Sequence, residues 1–404
     1  MTGETSGQWD RNSMTRSQTS GRSGGNGGAM SGESPGHVDQ AVEVGDERLA
    51  RMALASVSEP GDKQLADLVD SEGPLAVWSS LSGSRRDTRW GRRKALVRLQ
   101  EMVLVMQRRG IRFVMPGDTE WPEQLDDLAH VELGRVQARP LGLWVSGPGH
   151  LAAWVRDSVA IVGTRTSTHY GEVVTGDLAA GLALRDMTVV SGGAYGIDVC
   201  AHRAALAVDG RTVAVLASGV DQPYPRGNAR VFDEIRARGL LVSELPPGER
   251  PSRPRFLSRN RVIAALSMGS VMVEARVRSG AQNTLGWAER LSRVRMAVPG
   301  PITSAQSEGP HHQLREDATL VTSAAEIIER IAPMGQQTLP LPQGPSRVVD
   351  RLPADLNDVF EAVPGSGGRL AEEIAAACGR TLVQTLTDLG NLEERGMIEE
   401  NAEG

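Results

Sequence analysis

Val159-Ala160-Ile161-Val162-Gly163-Thr164-Arg165 and, further along, Val189-Val190-Ser191-Gly192-Gly193-Ala194-Tyr195-Gly196-Ile197-Asp198 decide the fold. Each is a short apolar strand that runs straight into a loop bearing glycine or arginine. The pattern recurs, with strands expected at 159–163, 188–191, 212–217, 240–243, 270–274 and 295–298 and helical stretches between them. Such alternation requires right-handed crossovers and a parallel sheet, and strands that are apolar almost throughout suit a sheet covered on both faces. The expected class is α/β: a Rossmann-like, doubly wound, mostly parallel sheet whose ligand lies beyond the carboxyl ends of the strands.

Working outward, 404 residues are too many for one ordinary core. Residues 1–45 are rich in Gly, Ser and Thr and read as a disordered tail without an export signal. Residues 46–150 read as a mainly helical region, with Leu65, Leu68 and Val69 on one face and Leu96, Leu99, Val103 and Met106 on a later one. It closes with strand candidates at 113–117 and 141–145. The Rossmann-like domain spans 151–332. Residues 333–348, with Pro and Gln but no periodicity, read as a linker. Beyond it, helical patterns at 354–362, 370–377 and 381–394 outline a winged-helix-like domain at 349–404.

Composition narrows the function classes. Two cysteines, Cys200 and Cys378, in different regions leave no disulfide framework and no thiol metal site. The longest uncharged apolar run, 262–273, is shorter than the roughly 18 residues a membrane span needs. A soluble, cytoplasmic protein without membrane contact and without a cofactor is expected. The net charge of −6 hides an asymmetry. Residues 151–330 hold 21 Arg, no Lys and 18 acids, or +3, whereas residues 345–404 hold 5 Arg and 12 acids, or −7. Basic charge is concentrated in the middle of the chain, where an anion would be met.

Four loops carry the functional reading. The first, from Gly163, lacks the G-x-G-x-x-G fingerprint, and the second strand ends at Ser191 rather than at an acid, so a dinucleotide site is not expected. Arg165 instead offers a guanidinium fork to a phosphate, with Ser167 or Thr168 able to cap the following helix. The second loop, Ser191, Gly192, Gly193, Ala194, Tyr195 and Gly196, brings three glycines to a helix start, where backbone can approach an anion. Asp198 would orient that loop. The third element is the arginine-rich stretch 250–261 around Phe256, with Arg259, Asn260 and Arg261 expected at a helix start. The fourth, Arg278, Ser279 and Gly280, suits an anion nest. A tight turn, a cap or a solvated charge run remains open for each loop taken alone. Tyr170, Tyr195 and Tyr224 fall at loop edges, where rings could stack on bases.

Taken in order, these strings resemble the bacterial DNA-processing protein A (DprA/Smf) family. The resemblance rests on 160–165, 191–198, Ala201-His202-Arg203-Ala204-Ala205-Leu206, Ser258-Arg259-Asn260-Arg261-Val262-Ile263-Ala264, Val273-Glu274-Ala275, Arg278-Ser279-Gly280 and Ala297-Val298-Pro299-Gly300. It implies a homodimeric, sequence-independent single-stranded DNA binder that protects its ligand and loads a RecA-type recombinase during natural transformation. No catalytic residue is implied. Arg165 would be the phosphate-binding arginine, and the second loop, Arg259-Asn260-Arg261 and Ser279-Gly280 would line the same groove. The chain departs from the pattern at Tyr195, where the family has arginine, at Gln282-Asn283, and at His311 and Asp317.

Two rivals follow from the same residues. A nucleotide phosphoribohydrolase of the lysine-decarboxylase-like family also uses glycine-rich loops, but 298–303 lacks that family's second glycine and nearby acid. A regulator acting on duplex DNA through residues 349–404 would have to overcome their negative charge.

Overall fold

The computed structural model describes residues 46–131, 139–332, 352–365 and 368–399. The expected tail at 1–45 and the linker at 333–348 lie outside them. Strands β3 (Ser158–Val162), β4 (Thr188–Ser191), β5 (Thr212–Leu216), β6 (Leu240–Ser243), β7 (Gly269–Met272) and β8 (Val294–Ala297) fall within a residue or two of the expected positions. All are parallel, and a short strand β9 (Thr319–Leu320) adds a parallel edge beyond β8.

The central strands are covered on both sides. Val159 and Ile161 face one core, with Leu178 and Leu182 of α7 (His169–Ala183), Ala201 and Ala205 of α8 (Ile197–Ala207) and Ile327 of α13 (Ala324–Ile331). Ala160 and Val162 face the other, with Val262 and Ile263 of α10 (Arg253–Ala265) and Leu285 and Trp287 of α11 (Gly280–Arg290). This is the Rossmann-like, doubly wound arrangement.

The strand order is β1-β2-β6-β5-β4-β3-β7-β8-β9. Its first two members, β1 (Ile111–Val114) and β2 (Leu143–Ser146), come from the region expected to be a separate helical domain. They pair antiparallel with each other, and β2 pairs antiparallel with β6, Trp144 opposite Ser243. The division at residue 150 therefore cuts through a sheet. Trp144 is wholly buried and packs on Phe113 with ring centroids 4.7 Å apart. Pairing of 143–146 with 240–243 spans about a hundred residues and leaves no local signature in the sequence.

The helical part proper comprises α1 (Glu47–Val57), α2 (Lys63–Glu72), α3 (Pro74–Ser80), α4 (Arg89–Lys94) and α5 (Leu99–Arg109). Their core contains Leu65 and Val69 as expected, with Trp78 and Trp90. Leu96 was expected on a helix face but sits in the turn before α5, 74% exposed. At the far end, α14 (Ala354–Ala362), α15 (Ala371–Cys378) and α16 (Leu382–Glu394) pack around Leu356, Val359, Ile374 and Leu392. Thr381 and Gln384 form a capping box at the start of α16. No strand is found among the described residues of this segment, so a wing is not part of what is seen.

Candidate nucleic-acid interface

Chain order along the sheet reverses between β3 and β7, its topological switch point, where the flanking loops part and leave a crevice. A groove of about 960 Å³ opens there. Its walls are the loop after β3 (Gly163, Thr164, Arg165), the face of α10 (Arg253, Phe256, Leu257, Arg259, Asn260), the loop after β7 (Arg276, Val277, Arg278, Ser279) and the start of α11 from Gly280. Five arginines line it against one carboxylate, Asp198.

The loop after β3 is anchored rather than free. The Thr164 N–H donates to the Glu274 carbonyl at 2.6 Å and the Ile197 N–H to the Thr164 carbonyl at 3.2 Å. Thr168, not Ser167, caps α7, accepting from the Gly171 N–H. Arg165 is left exposed, its guanidinium 4.9 Å from the centre of the Phe256 ring. Phe256 in turn meets Tyr224 at 6.0 Å between centroids. A cation, an aromatic face and a second ring thus stand in a row along the groove, with the apolar side chains of Leu257 and Val277 each nearly half exposed beside them.

No carboxylate pairs with Arg165, Arg253, Arg276 or Arg278 among the described residues. The contrast with their neighbours is sharp. Arg255 is held by Glu59 and Glu249, whose carboxylates keep its guanidinium strongly protonated. Arg259 lies at the bottom of the groove, 8% exposed, donating to the Val215 carbonyl at 2.7 Å. Burial draws its pKa down to about 10 against the opposing pull of Asp198, and Arg165 lowers it further. Burial likewise pushes the Asp198 carboxyl up, against the pull of Arg259 and the Ala194 N–H. Asn260 bridges the two walls, its Nδ2 donating to the Gly280 carbonyl at 3.1 Å and to Asn283 Oδ1 at 3.2 Å.

Of the residues singled out in the sequence, Gly163, Arg165, Arg259, Asn260, Arg278, Ser279 and Gly280 line this groove. Ser191, Gly192, Gly193, Tyr195, Gly196 and Arg261 do not. Ser191 is fully buried and donates to the Ile161 carbonyl at 2.6 Å. The loop glycines pack against the chain's own atoms: a Cβ on Gly192 would sit 1.8 Å from Arg259 Nη1, and one on Gly196, at φ +74, 2.3 Å from the Thr164 carbonyl. Tyr195 is exposed, with its hydroxyl over Gly227.

Arg261 is a correction of a different kind. The sequence puts Arg259-Asn260-Arg261 at a helix start, but Ser252 precedes the first turn of α10 and the triplet lies in its middle. Successive helical residues point about 100° apart, so three neighbours cannot share a face. Arg261 turns away and forms a two-pronged ion pair with Glu244, both contacts 2.7 Å. Ser279 acts as the cap of α11, accepting from the Gln282 N–H at 3.4 Å. Arg253, Phe256, Leu257, Arg276 and Val277 were not named as site residues although they stood inside quoted stretches, and Tyr224, named as a ring able to stack, joins them at the groove. Nothing local marked which side of α10 would face the crevice.

Fold and crevice together define a doubly wound α/β protein with a cationic groove at its switch point. The chain belongs to the DNA recombination-mediator protein A family, whose model matches residues 112–332. It is 44% identical over 357 residues to a Mycobacterium tuberculosis DNA processing protein DprA, covering 86% of this chain and 90% of that one. Protein Smf of Escherichia coli is 35% identical over 296 residues, covering 70% and 74%. The crystal structure of Streptococcus pneumoniae DNA processing protein A aligns with a TM-score of 0.58 at 29% identity, covering 71% of this chain and 99% of that one. This membership sets the chain with DNA processing proteins rather than with the lysine-decarboxylase-like group.

Proposed function

We propose that this protein binds single-stranded DNA in the switch-point groove without regard to sequence, protects it, and delivers it to a RecA-type recombinase during DNA uptake, working as a homodimer. The observation that carries the DNA reading is the set of groove arginines without carboxylate partners among the described residues, beside the exposed Tyr224 ring and the half-buried Phe256. Unpaired guanidinium groups suit phosphates, and stacking on Tyr224 and Phe256 suits unpaired bases of any identity, at about 1–3 kcal/mol per base. Family membership supports delivery to a recombinase, since the family is described as a recombination mediator.

Salt-titrated binding of single- and double-stranded oligonucleotides tests the reading. Single strands should bind more tightly, with log affinity falling by about 0.7 per phosphate neutralised for each decade of salt. Arg165→Ala should lose about tenfold in affinity at ~0.1 M salt, equally for all sequences, and flatten that slope by about one phosphate's share. Wild-type affinity and slope in this variant would remove Arg165 from the site.

A further inference from the structure

Glu274 is 2% exposed and pairs with no Lys or Arg among the described residues, although it stands beside a groove lined by five arginines. A buried carboxylate is tolerated only when hydrogen bonds replace its water. Here they come from one loop. Oε2 accepts from the Thr168 N–H at 2.9 Å, Oε1 from the Thr168 hydroxyl at 2.6 Å, and the main-chain oxygen from the Thr164 N–H at 2.6 Å. Both ends of the segment 164–168 are therefore tied to a single residue on the opposite side of the switch point, and Arg165 stands between the ties. Gly171 makes room, since a Cβ there would lie 2.2 Å from Glu274 Oε2. The amino-terminal end of α7, whose dipole attracts anions, is thus filled by the protein's own carboxylate.

We propose that Glu274 is a positioning residue for the DNA groove: it occupies the amino-terminal end of α7 and holds the 164–168 loop so that Arg165 reaches the phosphate. This rests on the single-strand reading of the groove. It also means that the phosphate contact on this side comes from the Arg165 guanidinium, not from the amides of α7. Gln would keep the side-chain tie, since its carbonyl can accept from the Thr168 N–H while its NH2 donates to the Thr168 hydroxyl, whereas Leu in place of Glu removes both acceptors with little change in volume.

The test measures single-strand affinity and its salt slope for Glu274→Leu, Arg165→Ala and the double variant, with thermal melts of each. Glu274→Leu should melt as a folded protein, bind about tenfold more weakly and lose about 0.7 of slope, as one phosphate contact predicts. The double variant should bind no more weakly than Arg165→Ala, because both changes remove the same contact. Wild-type binding by Glu274→Leu, or losses that add in full, would overturn the inference while leaving the groove intact. Wild-type binding by Arg165→Ala would instead overturn the reading of the groove, and this inference with it. Should Glu274→Leu fail to fold, Thr168→Val removes the hydroxyl side of the tie: the same loss of slope supports the clamp, and an unchanged slope rejects it.

Discussion

Beneath the groove, His202 shows what burial does to a single titratable group. It is wholly buried, its Nδ1 lies 2.7 Å from the Thr212 hydroxyl, and its Nε2 has no hydrogen-bond partner among the described residues. Burial, aided by the charge of Arg259, lowers its pKa from 6.5 to about 3. The unfolded chain therefore takes up a proton that the folded one refuses. The resulting stability is complete above about pH 6.5 and is lost as pH falls toward about 3, at no more than about 1.4 kcal/mol per pH unit. Urea unfolding between pH 7 and pH 4 should show this slope, and His202→Leu should flatten it. An unaltered slope in that variant would exclude His202 as its source. The string 201–206 marked this histidine in the sequence, but its partners, Thr212 and Arg259, come from other elements and carry no neighbouring signal.

Along a single element, α10 explains why the arginine-rich stretch was only half legible. Its composition pointed to an anion, and its helical periodicity divides the arginines among different environments. Arg253 and Arg259 face the groove, whereas Arg255 and Arg261 face acids of the surrounding structure. Truncating one partner of a buried ion pair leaves the other charge stranded, at a cost of about 3–5 kcal/mol. Arg261→Ala should accordingly lower unfolding free energy by about that amount while the folded fraction keeps its single-strand affinity. A stable variant that has lost DNA binding would return Arg261 to the groove.

Across the whole molecule, charge is arranged so that total and local values disagree. The chain carries −6, yet the groove is lined by five arginines and one carboxylate. Residues 345–404 carry 5 Arg and 12 acids, and repulsion from such a segment slows approach of a polyanion at low salt. A chain ending at residue 332 should keep single-strand binding and associate about two- to fivefold faster at low ionic strength, the gain vanishing near ~0.5 M salt where the Debye length is only a few ångströms. Stopped-flow association rates across a salt series would show it. Loss of single-strand binding on truncation would place DNA contacts in the C-terminal helices.

The sequence by itself determined the strand-loop-helix rhythm and the parallel sheet, because apolar runs ending in glycine and arginine can be read within a window of ten residues. It also identified Arg165, Arg259, Asn260, Arg278, Ser279 and Gly280 as groove residues, since these sit at strand ends or on the helices beside them. Only the tertiary structure decided that β1 and β2 join the same sheet, that the second loop's glycines serve internal packing, that Arg261 belongs to Glu244, and that Tyr224 and Phe256 stand beside Arg165. Each of these depends on which distant backbone or side chain arrives at a given face, and that is settled by the closure of long loops and the packing of helices, not by any neighbour in the chain.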